Sequence, residues 1–291
     1  MNLKEVFAMS YRFIRFPNGK CKTVTFSYDD GCLQDKKLAD ILNAHNMKCT
    51  FNINSSRLVR GDGLSAQDCK DLISQGHEIA VHGKNHVACG IASAIEGIRD
   101  VLSCREELEC ALGCIIRGMA YPDTGITQFA NGTDYATVKR YLADLGIVYA
   151  RTLGGDNDRF ALPSDWHAWM PTAHHNNPQI ADYIDRFVAI DLSEHYWADR
   201  QARLFYLWGH AYEFEHDKNW DHLENICNRL GNREDTWYAT NMEIYLYIQA
   251  YRSLVWSADG KTVYNPTLQE IWFDVDKRLY SVRSGETLHL S

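Results

Sequence analysis

The chain has 291 residues, 45% hydrophobic and 23% charged, with a formal net charge of −8. This is ordinary globular composition at a length that one α/β barrel commonly reaches, and the acidic balance excludes the basic face of a nucleic-acid groove. No run approaches the roughly 18 apolar residues of a membrane span, and the opening MNLKEVFAMSYRF lacks the charged-then-apolar pattern of a secretory leader.

A cytoplasmic protein with neither membrane nor nucleic acid as partner is therefore expected. The nine cysteines are an odd number without a CxxC pair, so neither a disulfide scaffold nor a zinc ribbon is implied. Cys104, Cys110 and Cys114 read as small apolar filler on or after a helix.

In chain order, Lys22–Phe26 reads as a strand and Leu33–Ala44 as a helix. Lys48–Asn52 is the next strand. A helix opens at Ser65, an N-cap, and stops at Gly76. Strand Glu78–Val81 precedes a long helix, Ala92–Leu112. Strand Arg117–Tyr121, helix Tyr135–Leu145 and strand Ile147–Ala150 follow. Residues 151–185 carry Gly, Pro and polar punctuation and read as long loops. Strand Leu204–Trp208, helix Trp220–Leu230, strand Thr236–Tyr238 and helix Asn241–Leu254 complete the alternation. Alternating strand and helix predicts parallel strands joined by crossover helices, and the count suits a barrel of seven or eight units over residues 1–254. Beyond Val255 the pattern changes to TVYN, IWFDV, LYSV and TLHL between Gly turns, so 255–291 is expected to be an antiparallel β appendage packed on the barrel.

Three polar clusters directly follow predicted strands, where parallel α/β folds carry their sites. Ser27-Tyr28-Asp29-Asp30-Gly31 sets two carboxylates side by side. It is either a solvated turn or a division of labour, with one Asp on a metal and the other free as a base. His82-Gly83-Lys84-Asn85-His86 is an i, i+4 histidine pair that suits a divalent ion. With 12 histidines in the chain, such a pair also arises by chance. Together the clusters supply one Asp and two His and leave coordination positions open, as a catalytic ion requires. Zinc, nickel, cobalt and iron all suit that set. Trp208-Gly209-His210 offers either a core histidine or a general acid.

These motifs resemble the polysaccharide deacetylase family (carbohydrate esterase family 4, the NodB-homology domain), whose fold is a distorted (β/α)7 barrel. The resemblance spans roughly residues 20–255. The family pattern T-F-D-D-G is matched by Ser27–Gly31, which implies Asp29 as base and Asp30 as metal ligand. H-[ST]-x-x-H is matched by His82 and His86, the other ligands, with Gly83 in place of the hydroxyl residue. R-x-P-[YF]-G falls on Tyr121-Pro122-Asp123-Thr124-Gly125, where only the final glycine agrees without a gap.

That puts Tyr121 where the family has the arginine that steadies the base, and Arg151 is the candidate replacement. The Thr124 N–H would face the oxyanion. L-x-H is matched by Trp208-Gly209-His210, implying His210 as acid, and the family's Asp-Trp pair is sought at Asp165-Trp166. The activity implied is metal-dependent hydrolysis of an acetyl group, amide or ester, from an acetylated carbohydrate, with zinc the first choice of ion.

Trp166, Trp169, Trp208 and Tyr212 are candidates for stacking on sugar, Trp208 above all, although packing in the core or at its rim is the commoner role for any one of them. His174, His175 and Glu213 are candidates for the pocket lining. The alternatives are an amidohydrolase acting on a small non-sugar amide, and a non-catalytic carbohydrate-binding protein. Sequence says nothing of oligomeric state.

Overall fold

The computed structural model describes residues 11–153, 155–196 and 199–290. Its elements are, in chain order, β1 (Arg12–Arg15), β2 (Lys22–Asp30), α1 (Asp35–Ala44), β3 (Cys49–Ile53), α2 (Ser55–Arg60), α3 (Ala66–Ser74), β4 (Glu78–Val81), α4 (Ala94–Leu112), β5 (Gly118–Ala120), α5 (Tyr135–Asp144), β6 (Tyr149–Arg151) and β7 (Ala173–His174). They continue with α6 (Ile180–Val188), β8 (Arg203–Gly209), α7 (Ala211–His216), α8 (Trp220–Leu230), β9 (Thr236–Tyr238), α9 (Asn241–Arg252), β10 (Val255–Trp256), β11 (Thr262–Tyr264), β12 (Ile271–Val275), β13 (Arg278–Val282) and β14 (Thr287–His289).

The central sheet has the order β6-β5-β4-β3-β2-β8-β7, all parallel, with β9 paired to the first half of β2. Between β6 and β8 the sheet closes through the segment around Trp169. There, Thr152 N–H donates to the Trp169 carbonyl (3.0 Å) and Thr172 N–H to the Tyr206 carbonyl (2.7 Å). The result is the distorted (β/α)7 barrel expected from sequence.

Strand alternation explains how the barrel is filled. Val24, Phe26 and Tyr28 of β2 point outward and join Leu38, Leu42, Phe51, Leu223 and Ile226 in the core beneath the helices. Thr25, Ser27 and Asp29 point inward, where Thr25 Oγ1 donates to Asn241 Oδ1 (2.9 Å) and Ser27 Oγ accepts from Asn52 (2.8 Å). The barrel interior is thus a hydrogen-bonded polar column that leads up to the carboxylates. Helix α9 plugs its lower end, entering through a Thr240–Glu243 capping box.

Several readings change. Strand β2 runs to Asp30 rather than stopping at Phe26, so the Asp pair is the end of the strand itself. The stretch 151–185 is not all loop, because β7 and the start of α6 lie in it. Cys104 is buried, whereas Cys110 and Cys114 are exposed, and all nine cysteines are free thiols. Beyond Val255 the chain forms two three-stranded antiparallel sheets. One of them recruits β1, with Arg12–Arg15 pairing against Val275–Trp272. Val263, Ile271, Phe273 and Val282 share a second core with Ile244 and Ile248 of α9, which seats these strands on the barrel. No helix among the described residues is long and apolar enough to cross a membrane.

Candidate active site

The ends of β2, β4, β6 and β8 bring the predicted residues together. Asp30 closes β2 with a positive φ of 79°, and His86 has φ 58°. For residues with a Cβ this left-handed region costs of order 1 kcal/mol or more, and such strain gathers at functional sites.

Asp30 Oδ1 lies 3.6 Å from His82 Nε2 and 3.6 Å from His86 Nε2. The ligand atoms of a tetrahedral zinc sit about 3.4 Å apart, so the spacing fits a shared ion. His82 Nδ1 lies 2.9 Å from the Ala120 carbonyl, which accepts its proton and leaves Nε2 as the free lone pair. That is the usual arrangement of a metal-bound imidazole. The donor set therefore suits a borderline divalent ion.

The loop carrying His86 is braced by a residue the motif comparison did not suggest. Asp100 of α4 accepts from the backbone N–H of Asn85 (2.8 Å) and of Val87 (3.4 Å), on either side of His86. Gly83 has φ 73°, and a Cβ there would overlap the Asp100 carboxylate. The missing hydroxyl at position 83 is thus matched by a carboxylate from the neighbouring helix. Asn54 Nδ2 donates to the His82 carbonyl (2.5 Å) on the other side.

Asp29 is buried beside this set, with Oδ2 3.9 Å from His82 Nε2. Asn52 Nδ2 donates to its Oδ1 (2.8 Å), and the buried Arg151 guanidinium donates to Oδ2. Burial alone would raise the Asp29 carboxyl, but Arg151, then His82 and His210, outweigh it and hold the group below its ordinary value. Asp29 is accordingly ionised, as a base must be. Arg151 lies over the Trp208 ring at 4.3 Å, and His174 packs on that ring edge to face. Tyr121 is buried and turned away, its hydroxyl donating to the His167 carbonyl (2.8 Å). Its side chain belongs to the wall and not to a substrate surface.

The 121–125 turn is shaped by Gly125, at φ 55°, where a Cβ would press on that of Tyr121. The Thr124 N–H makes no backbone hydrogen bond among the described residues.

His210 follows β8, and its Nδ1 lies 3.2 Å from Glu213 Oε1. Burial would lower the imidazole, but the bond to Glu213 and the charges of Asp29, Glu213 and Asp30 raise it. Glu213 is a hub, with Oε2 3.2 Å from His174 Nε2 and 3.0 Å from His175 Nε2. Despite its burial, these histidines hold its carboxyl far below the usual range. His174, His210 and Glu213 also have donor atoms within 4.8 Å of one another. However, His174 Nδ1 already accepts from Asn176 N–H (3.1 Å), which leaves its proton on Nε2, facing the carboxylate. The group is an electrostatic brace, hydrogen-bonded through His210 and Glu213 Oε1 with His174 and His175 at ion-pair distance from Oε2. His175 is wholly buried, with burial pushing it down to about 4.

Trp169 is a core residue, edge to face with Tyr149 and Tyr206, and Trp166 packs on Trp169 and Tyr245. Asp165 bonds Tyr135 and Lys139 rather than the site. None of these three serves as a sugar platform or as a partner of the acid. Tyr212 is exposed beside His210. Asn52, Asn54 and Asp100 went unpredicted, since nothing in their local sequence marks an orienting side chain.

The barrel with a polar site at its strand ends defines an α/β fold of the carbohydrate esterase family 4 type. Residues 16–149 match the family model described as polysaccharide deacetylase. Among solved structures the chain is similar to one from Mycobacterium smegmatis, provisionally assigned as a polysaccharide deacetylase, at 18% identity and TM-score 0.56, covering 82% of this chain and 94% of that one. It is also similar to a point mutant of the peptidoglycan deacetylase PdaC from Bacillus subtilis, at 14% identity and TM-score 0.50, covering 82% and 96%. A third is the Xyl-CE4 domain of a multidomain xylanase from the hindgut metagenome of Trinervitermes trinervoides, at 15% identity and TM-score 0.50, covering 79% and 92%. No curated protein matches the sequence. The resemblance read from the motifs is borne out by the family-model match over residues 16–149, and the solved structures share the fold.

Proposed function

We propose that this protein is a metal-dependent deacetylase that hydrolyses the acetamido group of an acetylated sugar. The observation that carries the reading is the ionised, buried Asp29 beside the Asp30, His82 and His86 donor set, with His210 raised toward its protonated form nearby. A divalent ion held by Asp30, His82 and His86, zinc first among the candidates, would supply Lewis acidity for a water and the acyl oxygen.

In this mechanism Asp29 Oδ takes the proton from the attacking water while Arg151 and Asn52 hold its orientation. A C–O bond forms at the acetyl carbon, and the Thr124 N–H donates to the developing oxyanion. His210, with Nδ1 tied to Glu213, gives the Nε2 proton to the departing amine as the C–N bond breaks. The products are acetate and a free amino sugar. An acetyl ester would follow the same route with an alcohol as leaving group. Two titratable groups with opposed environments, a carboxyl held below its ordinary value and an imidazole raised above its own, are what an acid–base pair requires.

The test is acetate release from N-acetyl and O-acetyl sugars, alongside small linear and cyclic amides, with metal content measured on the same samples. Turnover of the sugars with about one ion per chain supports the reading. Turnover of the small amides alone would make the protein an amidohydrolase on the same fold, and a metal-loaded protein inert to the whole panel would end the catalytic reading.

A further inference from the structure

A cavity of about 300 Å³ opens onto the metal donor set, and its lining includes Asp30, Ser56, Arg57, Arg60, Asn85 and His86. It is walled by α2 on one side and by the His82–His86 loop on the other. A neutral sugar needs hydrogen-bonding groups and a flat aromatic there, but two arginines one turn apart on α2 face the same space.

Their partners differ. Arg60 pairs with Asp62 (3.0 Å), and its Nη1 donates to Ser56 Oγ (3.0 Å). Arg57 has no carboxylate within 4 Å among the described residues, and its one hydrogen bond there is a long contact from Nη1 to the Asp30 carbonyl (3.5 Å). A guanidinium carries five N–H donors in a planar fork that matches carboxylate and phosphate oxygens. Most of that fork is unused at Arg57, within the cavity that Asp30 and His86 also line. The chain as a whole carries −8, so its long-range field repels anions and only a local cation would recruit one.

We propose that Arg57, assisted by Arg60, forms a subsite for an anionic substituent, phosphate or carboxylate, borne by the acetylated sugar. The substrate class would then be an acidic acetylated amino sugar. The proposal rests on the deacetylase reading for its catalytic consequence, though not for binding.

The experiment uses the full zinc-loaded chain with three sugars: N-acetylglucosamine, its 6-phosphate and its 3-O-lactyl ether. At least one charged sugar is expected to show a kcat/KM about tenfold or more above the neutral one at low salt, with the advantage shrinking as salt is added. Arg57→Gln should collapse that ratio, chiefly through KM, and Arg57→Lys should keep part of it. The phosphate and lactyl arms identify which anion is read.

Equal turnover of all three sugars by the wild type overturns the proposal. So does a uniform loss across the three in Arg57→Gln, since that would make Arg57 a brace for the Asp30 carbonyl. If no sugar releases acetate, the deacetylase reading falls, and calorimetric binding of the same sugars decides the subsite by itself. Binding of a charged sugar that disappears in Arg57→Gln supports it, and charge-independent binding overturns it.

Discussion

Arg151 and Asp29 lie 122 positions apart in the chain and meet inside the barrel as a buried ion pair, with the guanidinium also stacked on Trp208. The Nε and Nη1 of Arg151 have no protein acceptor among the described residues, so Asp29 is the carboxylate that balances its charge. Arg151→Met would leave Asp29 buried without its cation. Its carboxyl should rise, and the acid limb of the kcat/KM profile should move to higher pH. Breaking the pair by removing one partner also costs about 3–5 kcal/mol of stability. A pH–rate profile with a urea melt checks both, and an unmoved acid limb would remove Arg151 from the tuning of the base.

The metal reading concerns binding before it concerns rate. Asp30→Asn and His82→Ala should each lower zinc affinity by about a hundredfold or more, because each removes one of three donors. Chelator competition monitors this directly. Stripping the ion should also lower Tm, since ligands bound only by the native state stabilise it. Unchanged affinity in both variants would move the ion elsewhere.

The Asp100 brace predicts an effect on the ion without contact to it. Asp100→Ala frees the N–H groups of Asn85 and Val87, and the His86 backbone loses its anchor. Zinc affinity should fall by about 10–100-fold, as is usual for outer groups that orient a ligand. Gly83→Ala should match it, because a Cβ at that positive φ overlaps the same carboxylate. Wild-type affinity in both variants would reduce Asp100 to helix packing.

Glu213 raises the His210 imidazole. Glu213→Gln should therefore lower it, and the alkaline limb of kcat, where the acid loses its proton, should shift to lower pH. Below that limb the variant should retain much of its rate. A limb that stays in place would assign the proton to another group.

Glu78 offers a stability test away from the site. It accepts from Thr50, Tyr149 and the Met242 N–H at the foot of the barrel, yet burial pushes it up to about 7 from an ordinary 4.5. A carboxyl raised on folding holds a proton that the unfolded chain releases, so stability declines as pH rises from about 4.5 to about 7 and then levels. The full interval corresponds to roughly 3 kcal/mol. Water at the edge of this partly exposed side chain makes the actual loss smaller. Glu78→Gln should flatten the decline, which urea unfolding at pH 5 and pH 8 would detect.

The legible part of the fold came from periodicity that local contacts preserve. The αβ alternation and the Ser65 cap read directly, because helix faces and caps are settled within a few residues. Helix α6 was missed although Ile180, Tyr183, Ile184 and Phe187 carry helical spacing. The Gly, Pro and polar punctuation of GGDNDR, LPSDW and PTAHHNNP points to loop across the whole stretch. Strand β1 was invisible because its partner is β12, at the other end of the chain. Its RFIR sequence has no local reason to be extended.

For the site, sequence alone determined the inventory: an Asp pair, a His pair and a later His, each after a strand, in an order that matches a known family. It also exposed the departures, at Gly83 and Tyr121. Only the tertiary structure decided how those departures are absorbed, with Arg151 reaching Asp29 from another strand end, Asp100 filling the space at Gly83, and Glu213 gathering three histidines. Candidate ligands can be read from short motifs because a strand end places neighbouring residues together. Orientation and charge balance depend on side chains from distant segments, which the closure of the barrel brings within hydrogen-bond reach.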